Sequence, residues 1–71
     1  MRPEKPLVKV KLVGEDGNAF FIIGRVSGAL KRAGFKTEAE EFCKDAMSGN
    51  YDNVLQAALA YSEEPDEDVQ D

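Results

Sequence analysis

Apolar and polar residues alternate in the first part of the chain, in the pattern typical of a strand with one buried side. The alternating positions are Val8, Lys9, Val10, Lys11 and Leu12. A period of two is the period of a β-strand, so we predict a strand over about residues 7–13, after a flexible lead-in at residues 1–6. One strand alone leaves backbone N–H and C=O groups unpaired. We therefore expect it to pair with residues near Tyr61, with a second copy of the chain, or with a strand of another protein.

The run AFFIIG that follows is almost continuously apolar, and its spacing favours a helix over about residues 18–33. Helical counting places on one side Phe20, Ile23, Ser27 and Leu30, with Val26 and Ala33 at the margin. Asn18 is a suitable N-cap, and Gly34 ends the helix after two basic residues. The Asp-Gly pair at residues 16–17 also permits a hairpin in which residues 19–26 return as a strand, but that segment does not alternate.

Two further helices are predicted from apolar residues at spacings of three and four. Over about residues 38–48 the apolar positions are Ala39, Phe42, Cys43, Ala46 and Met47. Over about residues 51–62 they are Tyr51, Val54, Leu55, Ala58 and Leu59. Thr37 and Glu40 fit a capping box at the start of the second helix, and Asn50 or Asp52 starts the third. The acidic positions of the second helix are expected to face solvent: Glu38, Glu40, Glu41 and Asp45.

The other side of the first helix is also partly apolar. Phe21 lies away from Phe20 and Ile23, on the same side as Arg25 and Arg32. A helix that is apolar nearly all round is covered on more than one side. We therefore expect the strand or a second copy of the chain to cover this side, and we hypothesise a homodimer.

Charge is unevenly distributed along the chain. The net charge is −5 over 71 residues, but residues 1–36 hold eight Lys or Arg and three acids, whereas residues 37–71 hold one Lys and eleven acids. Six of those acids lie in residues 63–71, a like-charge block that we predict to be a disordered acidic tail. Apolar residues make up 42% of the chain, which suffices for one small globular domain at residues 7–62.

Several classes of chemistry are not expected. The chain has no histidine, which excludes Ser-His-Asp and Cys-His catalysis and histidine ligands for zinc. Cys43 is the single cysteine, lies on the apolar side of its helix and is expected to serve packing. The turn with Glu15 and Asp16 would repel phosphate and matches no phosphate-binding motif, and it offers too few oxygen ligands for calcium. We expect no enzyme, no cofactor and no metal site.

The chain lacks the pattern of a membrane protein. Its longest apolar run, residues 19–23, is far shorter than the roughly 18 residues that a membrane span requires. The apolar stretch near the N-terminus is short and contains lysines, unlike a signal peptide. We expect a cytoplasmic protein without membrane association.

Basic residues on the first helix and just after it form a candidate basic patch: Arg25, Lys31, Arg32 and Lys36. Basic side chains that contact phosphate supply much of the affinity of proteins for DNA, so nucleic-acid binding is one interpretation. A solvated helix face with cations near its C-terminus is another, and a patch screened by the acidic tail is a third. The second and third helices resemble a helix-turn-helix in outline, but the exposed positions of the third helix carry no Lys or Arg.

Three motifs resemble those of a family of small bacterial and phage proteins. The chain reads VKLVGEDGNAF, then GRVSGALKRAG, then SGNYD. The family pattern is V-K-L-V-G-E-D-G-N-A-F, G-R-V-S-x-A-L-(K/R)-R-A-G and S-G-(D/N)-Y-(D/N), so the resemblance covers roughly residues 8–60. It implies no activity, and the acidic tail lies outside the shared pattern.

The second half of the chain has Gly34-Phe35, then a helix, then Gly49-Asn50 followed by Val54, Leu55, Ala58 and Leu59. This pattern resembles that of ubiquitin-associated-type three-helix domains. In that group a Gly-Phe loop and the end of the third helix form an apolar docking patch, which the resemblance implies for Gly34, Phe35 and Leu59. Ala33 stands where the group usually has methionine. Phe35 has an alternative role as the apolar contact that closes the end of the first helix.

These patterns predict an α+β protein with one N-terminal strand, three helices and an acidic tail. Its predicted function is that of a non-enzymatic protein–protein interaction module that self-associates, with Phe21, Gly34, Phe35 and Leu59 as candidate partner-binding residues. The alternative is a nucleic-acid-associated regulator that uses the basic patch. The sequence does not identify a protein partner.

Overall fold

The structure is a computed structural model and describes residues 2–12 and 18–65. Its elements are β1 (Val8–Lys9), α1 (Ala19–Arg32), α2 (Lys36–Met47), α3 (Tyr51–Tyr61) and β2 (Ser62–Glu63). The predicted α+β class, with a strand followed by three helices, is confirmed. The turn with Glu15 and Asp16, and residues 66–71 of the predicted acidic tail, lie outside the described residues.

The first strand pairs with residues of its own chain. β1 and β2 run parallel, with Val8 opposite Ser62 and Lys9 opposite Glu63. Parallel strands need a long crossover connection, and here α1, α2 and α3 lie on it. Of the three partners expected for the strand, the residues beside Tyr61 are therefore the correct one, and β1 needs no second copy for this pairing.

The strand differs from its predicted bounds at both ends. β1 has two residues instead of the predicted 7–13, although backbone hydrogen bonds extend the contact. The Leu7 N–H donates to the Tyr61 carbonyl at 2.9 Å, and the Val10 N–H donates to the Glu63 carbonyl at 2.8 Å. Ser62 and Glu63, predicted as a helix end and the start of the tail, form β2 because these bonds extend their backbone.

The ends of α1 are closed as predicted. The Asn18 side-chain oxygen accepts from the backbone N–H groups of Phe20 at 2.7 Å and Phe21 at 3.4 Å. At the other end, Gly34 has a φ of +93°, a conformation that a side chain disfavours. The Gly34 N–H donates to Lys31 and the Phe35 N–H donates to Leu30, at 3.0 and 2.8 Å, which is the Schellman pattern.

The predicted capping box of α2 is wrong, because the helix begins earlier. α2 starts at Lys36 rather than near residue 38, with Phe35 at the N-cap and no side-chain cap. The Schellman turn brings the chain directly into the next helix, so the Phe35 carbonyl already accepts from the Ala39 N–H at 2.9 Å. Thr37 consequently lies within the first turn, exposed to solvent.

The start of α3 depends on two asparagines and a glycine. The Asn50 side chain caps α3 by accepting from the Asn53 N–H at 3.1 Å, so Asn50 is the correct choice over Asp52. A Cβ on Gly49 would lie 2.9 Å from the Asn53 Cβ, closer than such atoms approach. Gly49 thus lets Asn53 turn toward the end of α2, where its amide donates to the Asp45 carbonyl.

The hydrophobic core lies among the three helices, with one residue from the N-terminal segment. Its buried members are Val10, Ile22, Ile23, Val26, Leu30, Ala39, Phe42, Ala46, Val54, Ala57, Ala58 and Tyr61. Four alanines allow α2 and α3 to pack closely, and Phe42 and Tyr61 fill the remaining volume edge to face, with ring centroids 5.3 Å apart. Burial raises the pKa of Tyr61, since the charged phenolate is disfavoured away from water.

Four large apolar residues predicted to face the core are exposed instead. Phe20 is 78% exposed, Leu59 64%, Met47 60% and Tyr51 47%. The buried residues of α2 all lie on its predicted apolar side. In α1 and α3 the buried side extends to residues that were not predicted there: Ile22 in α1, and Ala57 and Tyr61 in α3. Helical spacing fixes the angles between residues but not the arc that meets its neighbours.

Arg2, placed by the sequence in the flexible lead-in, joins the N-terminal segment to α2 and α3. Its guanidinium donates to the Asp45 carboxylate at 2.6 and 3.1 Å and to the Asn53 side-chain oxygen at 3.1 Å. This hydrogen-bonded ion pair lowers the pKa of Asp45. Asp45 was predicted on a solvated face, but it is half-buried because Arg2 covers it.

Candidate interaction surface

The outer side of α1, away from the core, carries an open groove of about 330 Å³. Its lining residues are Phe20, Phe21, Gly24, Arg25 and Arg32, and it is called the α1 groove below. The strand or a second copy was expected to cover the Phe21 side, where Phe21 is half-buried and Arg25 contacts the Lys11 carbonyl. Phe20, expected on the core side, is 78% exposed, and the hypothesised second copy stays a prediction.

The two phenylalanines give the groove an apolar end. Phe20 projects into solvent, whereas Phe21 is half-buried. The guanidinium carbon of Arg25 lies 5.6 Å from the centroid of the Phe21 ring, within the range of a cation–π contact. Because Arg25 also donates to the Lys11 carbonyl at 3.1 Å, its charged head is held beside the groove rather than free to rotate.

Two glycines leave the helix backbone bare along this side. A Cβ on Gly24 would have nothing within 4 Å, and one on Gly28 would meet only the Arg32 Nη1 at 3.4 Å. Neither glycine has a positive φ, so neither is required by the backbone. Glycine inside a helix costs about 1 kcal/mol relative to alanine. The described part of the fold thus gains nothing from Gly24, while the groove gains open space.

The two arginines bring positive charge without a carboxylate partner. Among residues 2–12 and 18–65, Arg2 forms an ion pair with Asp45. Neither Arg25 nor Arg32 forms an ion pair with a carboxylate of these residues. α1 contains three basic residues and no acidic residue. Hydrogen bonding to the neutral Lys11 carbonyl leaves the charge of Arg25 uncompensated. The groove therefore combines exposed aromatic surface with guanidinium groups that an external carboxylate or phosphate would suit.

The structure brings together only part of the predicted basic patch. Arg25 and Arg32 line the groove beside Phe21, as helical counting places them. Lys31 is exposed on the last turn of α1, and Lys36 is exposed at the first residue of α2; neither lines the groove. Phe20 and Gly24 were not selected from the sequence. The signal for Phe20 was weak, because its spacing from Ile23 fits a core position equally well.

The residues implied by the likeness to ubiquitin-associated domains have other local roles. Gly34 forms the left-handed turn after α1, and Phe35 is half-buried and packs against the core. The structure therefore favours the alternative role of Phe35, the apolar contact that closes the helix end. Leu59 is 64% exposed on α3. Of Phe35 and Leu59, only Leu59 therefore presents most of its side chain to solvent.

Other kinds of site are not seen in the described part of the chain. No three acidic or cysteine side chains there lie close enough together to hold a metal ion. None of the described helices is both long and apolar enough to cross a membrane. Cys43 is half-buried and packs against the core, as expected for a packing residue.

Comparison of the chain with protein-family models, with curated proteins and with solved structures found no match. The resemblances noted in the sequence stay predictions. The α1 groove must accordingly be interpreted from its own geometry and charge.

Proposed function

We propose that this protein is a non-enzymatic interaction module whose α1 groove docks a segment of another protein. The segment presents an apolar side chain next to carboxylates. The observation that carries the proposal is the exposure of Phe20, at 78%, on a groove whose two arginines have no carboxylate partner among the described residues. Large apolar side chains that line a concave surface with fixed polar groups are typical of docking sites.

The apolar part of the proposed contact involves Phe20, Phe21 and Gly24. Burying an exposed phenylalanine gives about 1.5–3 kcal/mol, and the side chain of Phe20 is almost wholly available for this. The bare backbone at Gly24 lets an incoming side chain approach the helix closely. Phe21 is already half-buried, so its side chain loses little conformational entropy when a partner binds against it.

The charged part of the proposed contact involves Arg25 and Arg32. Guanidinium groups bind carboxylates through two parallel hydrogen bonds, which adds directional specificity. Arg25 is held by Phe21 and by the Lys11 carbonyl, and a group that is already positioned loses less entropy on binding. An acidic partner is favoured over a basic one, because α1 has no acidic side chain that could pair with a basic residue of the partner.

Self-association stays a prediction, but pairing of two β1 strands is no longer the expected route. The pairing of β1 with β2 removes the reason for a dimer through the strand. A symmetric contact between two α1 helices would bring the arginines of both copies together, which costs free energy. Sedimentation equilibrium at high micromolar concentration tests the homodimer: a monomeric mass would remove it.

A nucleic-acid-associated regulator is the second candidate, and one observation favours it. Exposed aromatic rings beside basic side chains can stack bases and contact phosphates of single strands, and Phe20 with Arg25 and Arg32 supplies both. The net charge of −5 opposes the approach of a polyanion. We therefore place the acidic protein segment first.

A titration followed by two-dimensional NMR of the ¹⁵N-labelled chain tests the proposal. Three probes are used: an amphipathic peptide of Glu and Leu at helical spacing, the same peptide with Lys for Glu, and a single-stranded DNA oligonucleotide. We expect the acidic peptide to shift the amide signals of the α1 groove and the basic peptide to leave them unchanged. Shifts with the oligonucleotide alone would favour the nucleic-acid candidate and overturn the proposal.

A matched pair of variants assigns any binding to the groove. Phe20→Ser removes an exposed apolar side chain inside the α1 groove, and Leu59→Ser removes one on α3. Neither side chain is part of the core, so both variants should fold. We expect Phe20→Ser to weaken binding of the acidic peptide about tenfold, the equivalent of roughly 1.4 kcal/mol, with Leu59→Ser unchanged. Equal effects of the two changes would place the contact elsewhere.

A further inference from the structure

The chain itself carries a segment with the chemistry that the α1 groove suits. Residues 66–71 read DEDVQD, with four carboxylate side chains and one aliphatic residue, Val69. The proposed partner combines carboxylates with an apolar side chain, and this segment has both.

The described chain ends across residues 11–12 from the groove. The Glu64 carboxylate accepts from the Leu12 N–H at 3.0 Å, and the Arg25 guanidinium donates to the Lys11 carbonyl at 3.1 Å. That N–H and that carbonyl belong to the same peptide group. Because the N–H and C=O of a trans peptide point in opposite directions, Glu64 and Arg25 lie on opposite sides of this peptide unit. Two hydrogen bonds and the width of the peptide separate them, roughly 8 Å.

Six residues are long enough to cover the groove from this point. An extended segment of six residues spans about 20 Å. The seven helical steps from Arg25 to Arg32 span about 10 Å along α1. When extended, the segment can therefore cross residues 11–12, pass Arg25 and reach Arg32. Its four carboxylates would there meet two guanidinium groups that have no carboxylate partner in the described chain.

We propose that residues 66–71 occupy the α1 groove of their own molecule and compete there with a partner. This inference rests on the proposed function, because it takes the α1 groove as the docking site. A short connection gives the segment an effective concentration in the millimolar range. A contact with a dissociation constant below that range is then mostly formed, and an external ligand must displace it.

The test uses the full chain with the four acids of the segment neutralised: Asp66→Asn, Glu67→Gln, Asp68→Asn and Asp71→Asn. A control variant neutralises four acids on α2 and α3 instead: Glu38→Gln, Glu40→Gln, Glu41→Gln and Asp52→Asn. Both variants change the net charge by the same amount, so long-range attraction of an acidic probe rises equally in both. The difference between them isolates the position of the charges, and circular dichroism confirms that each variant is folded.

The first measurement is the affinity of the Glu-Leu peptide. If the segment occupies the groove for about four-fifths of the time, its neutralisation strengthens peptide binding roughly five-fold relative to the control variant. Equal affinities of the two variants overturn the inference and leave the proposed function intact. Absence of peptide binding to the wild type and to both variants overturns the proposed function, and the second measurement then decides the inference.

The second measurement compares amide signals of the free proteins. We expect the signals of Phe20, Gly24 and Arg25 to differ between the wild type and the segment variant, with no dependence on protein concentration. Unchanged signals overturn the inference. Differences that grow with concentration also overturn it, because they show the segment bound to the groove of another copy. High salt should reduce the differences, since exposed ion pairs are screened.

Discussion

The inner and outer sides of α1 carry similar apolar residues in opposite environments. On the inner side, Ile22, Ile23, Val26 and Leu30 are buried in the core. On the outer side, Phe20 lies in solvent, although it is larger and no more polar than its buried neighbours. The position of a residue around the helix axis, rather than its hydrophobicity, decides whether it stabilises the fold.

The two sides also differ in what they contribute. The inner side gains free energy from burial, so its residues explain why the domain folds. The outer side holds Gly24, which weakens the helix, and two arginines without a carboxylate partner in the described chain. Features that reduce stability and leave charge uncompensated are typical of surfaces that bind something. The comparison therefore separates a side that stabilises the fold from the side that we propose binds a partner, and the following changes probe the two.

The largest effect is expected on the inner side, from Leu30→Ala. Leu30 is fully buried, and such truncations cost about 2–5 kcal/mol because they remove apolar contacts and leave a cavity. That is a large share of the stability of a domain of this size. Urea unfolding measures it. Leu59→Ala, on an exposed leucine, is the control and should cost under about 0.5 kcal/mol; similar losses for both leucines would contradict the assigned core.

The next largest effect is expected at the end of α1, from Gly34→Ala. Gly34 has a φ of +93°, so a side chain there should cost about 1–2 kcal/mol. The loss should appear as a lower urea midpoint with an unchanged slope, since the exposed surface does not change. A neutral result would mean that the turn between α1 and α2 differs from the one described.

Gly24→Ala should change stability by a smaller amount and in the opposite direction. The added methyl group meets nothing within 4 Å, and alanine favours the helix by about 1 kcal/mol. The variant should therefore be more stable while binding the Glu-Leu peptide more weakly, because the methyl group fills the groove. Thermal unfolding and the peptide titration together check this. A more stable variant with unchanged peptide affinity would argue against the groove as the contact surface.

The smallest effect concerns a paired cation, for contrast with the arginines of the groove. Arg2 lowers the pKa of Asp45 below its ordinary value of 3.8. A depressed carboxyl pKa stabilises the fold above about pH 4, and this contribution is lost as the pH falls through the folded pKa. Arg2→Ala should lower the melting temperature slightly at neutral pH. The further fall in melting temperature on going to acid pH should be smaller in this variant than in the wild type. Lys31→Gln, which removes no ion pair with a described residue and lies outside the α1 groove, should leave the acid dependence unchanged.

Local signals in the sequence determined most of the elements. Asn18 and Asn50 mark helix starts and Gly34 marks a helix end, because their preferences act over one turn of backbone. The order of one strand and three helices follows from the periods of two and of three to four. The common side of Phe21, Arg25 and Arg32 follows from the geometry of a helix alone, so this part of the candidate site was predictable.

The tertiary structure decided which arc of each helix is buried and what β1 pairs with. Phe20, Met47, Tyr51 and Leu59 have suitable spacings for a core, but they are exposed, whereas Ile22, Ala57 and Tyr61 are buried. The pairing of Val8 with Ser62 joins residues more than fifty positions apart, which no local pattern specifies. Packing and strand pairing depend on contacts across the whole chain, and for this reason the exposure of Phe20 and the groove beside it emerged only from the fold.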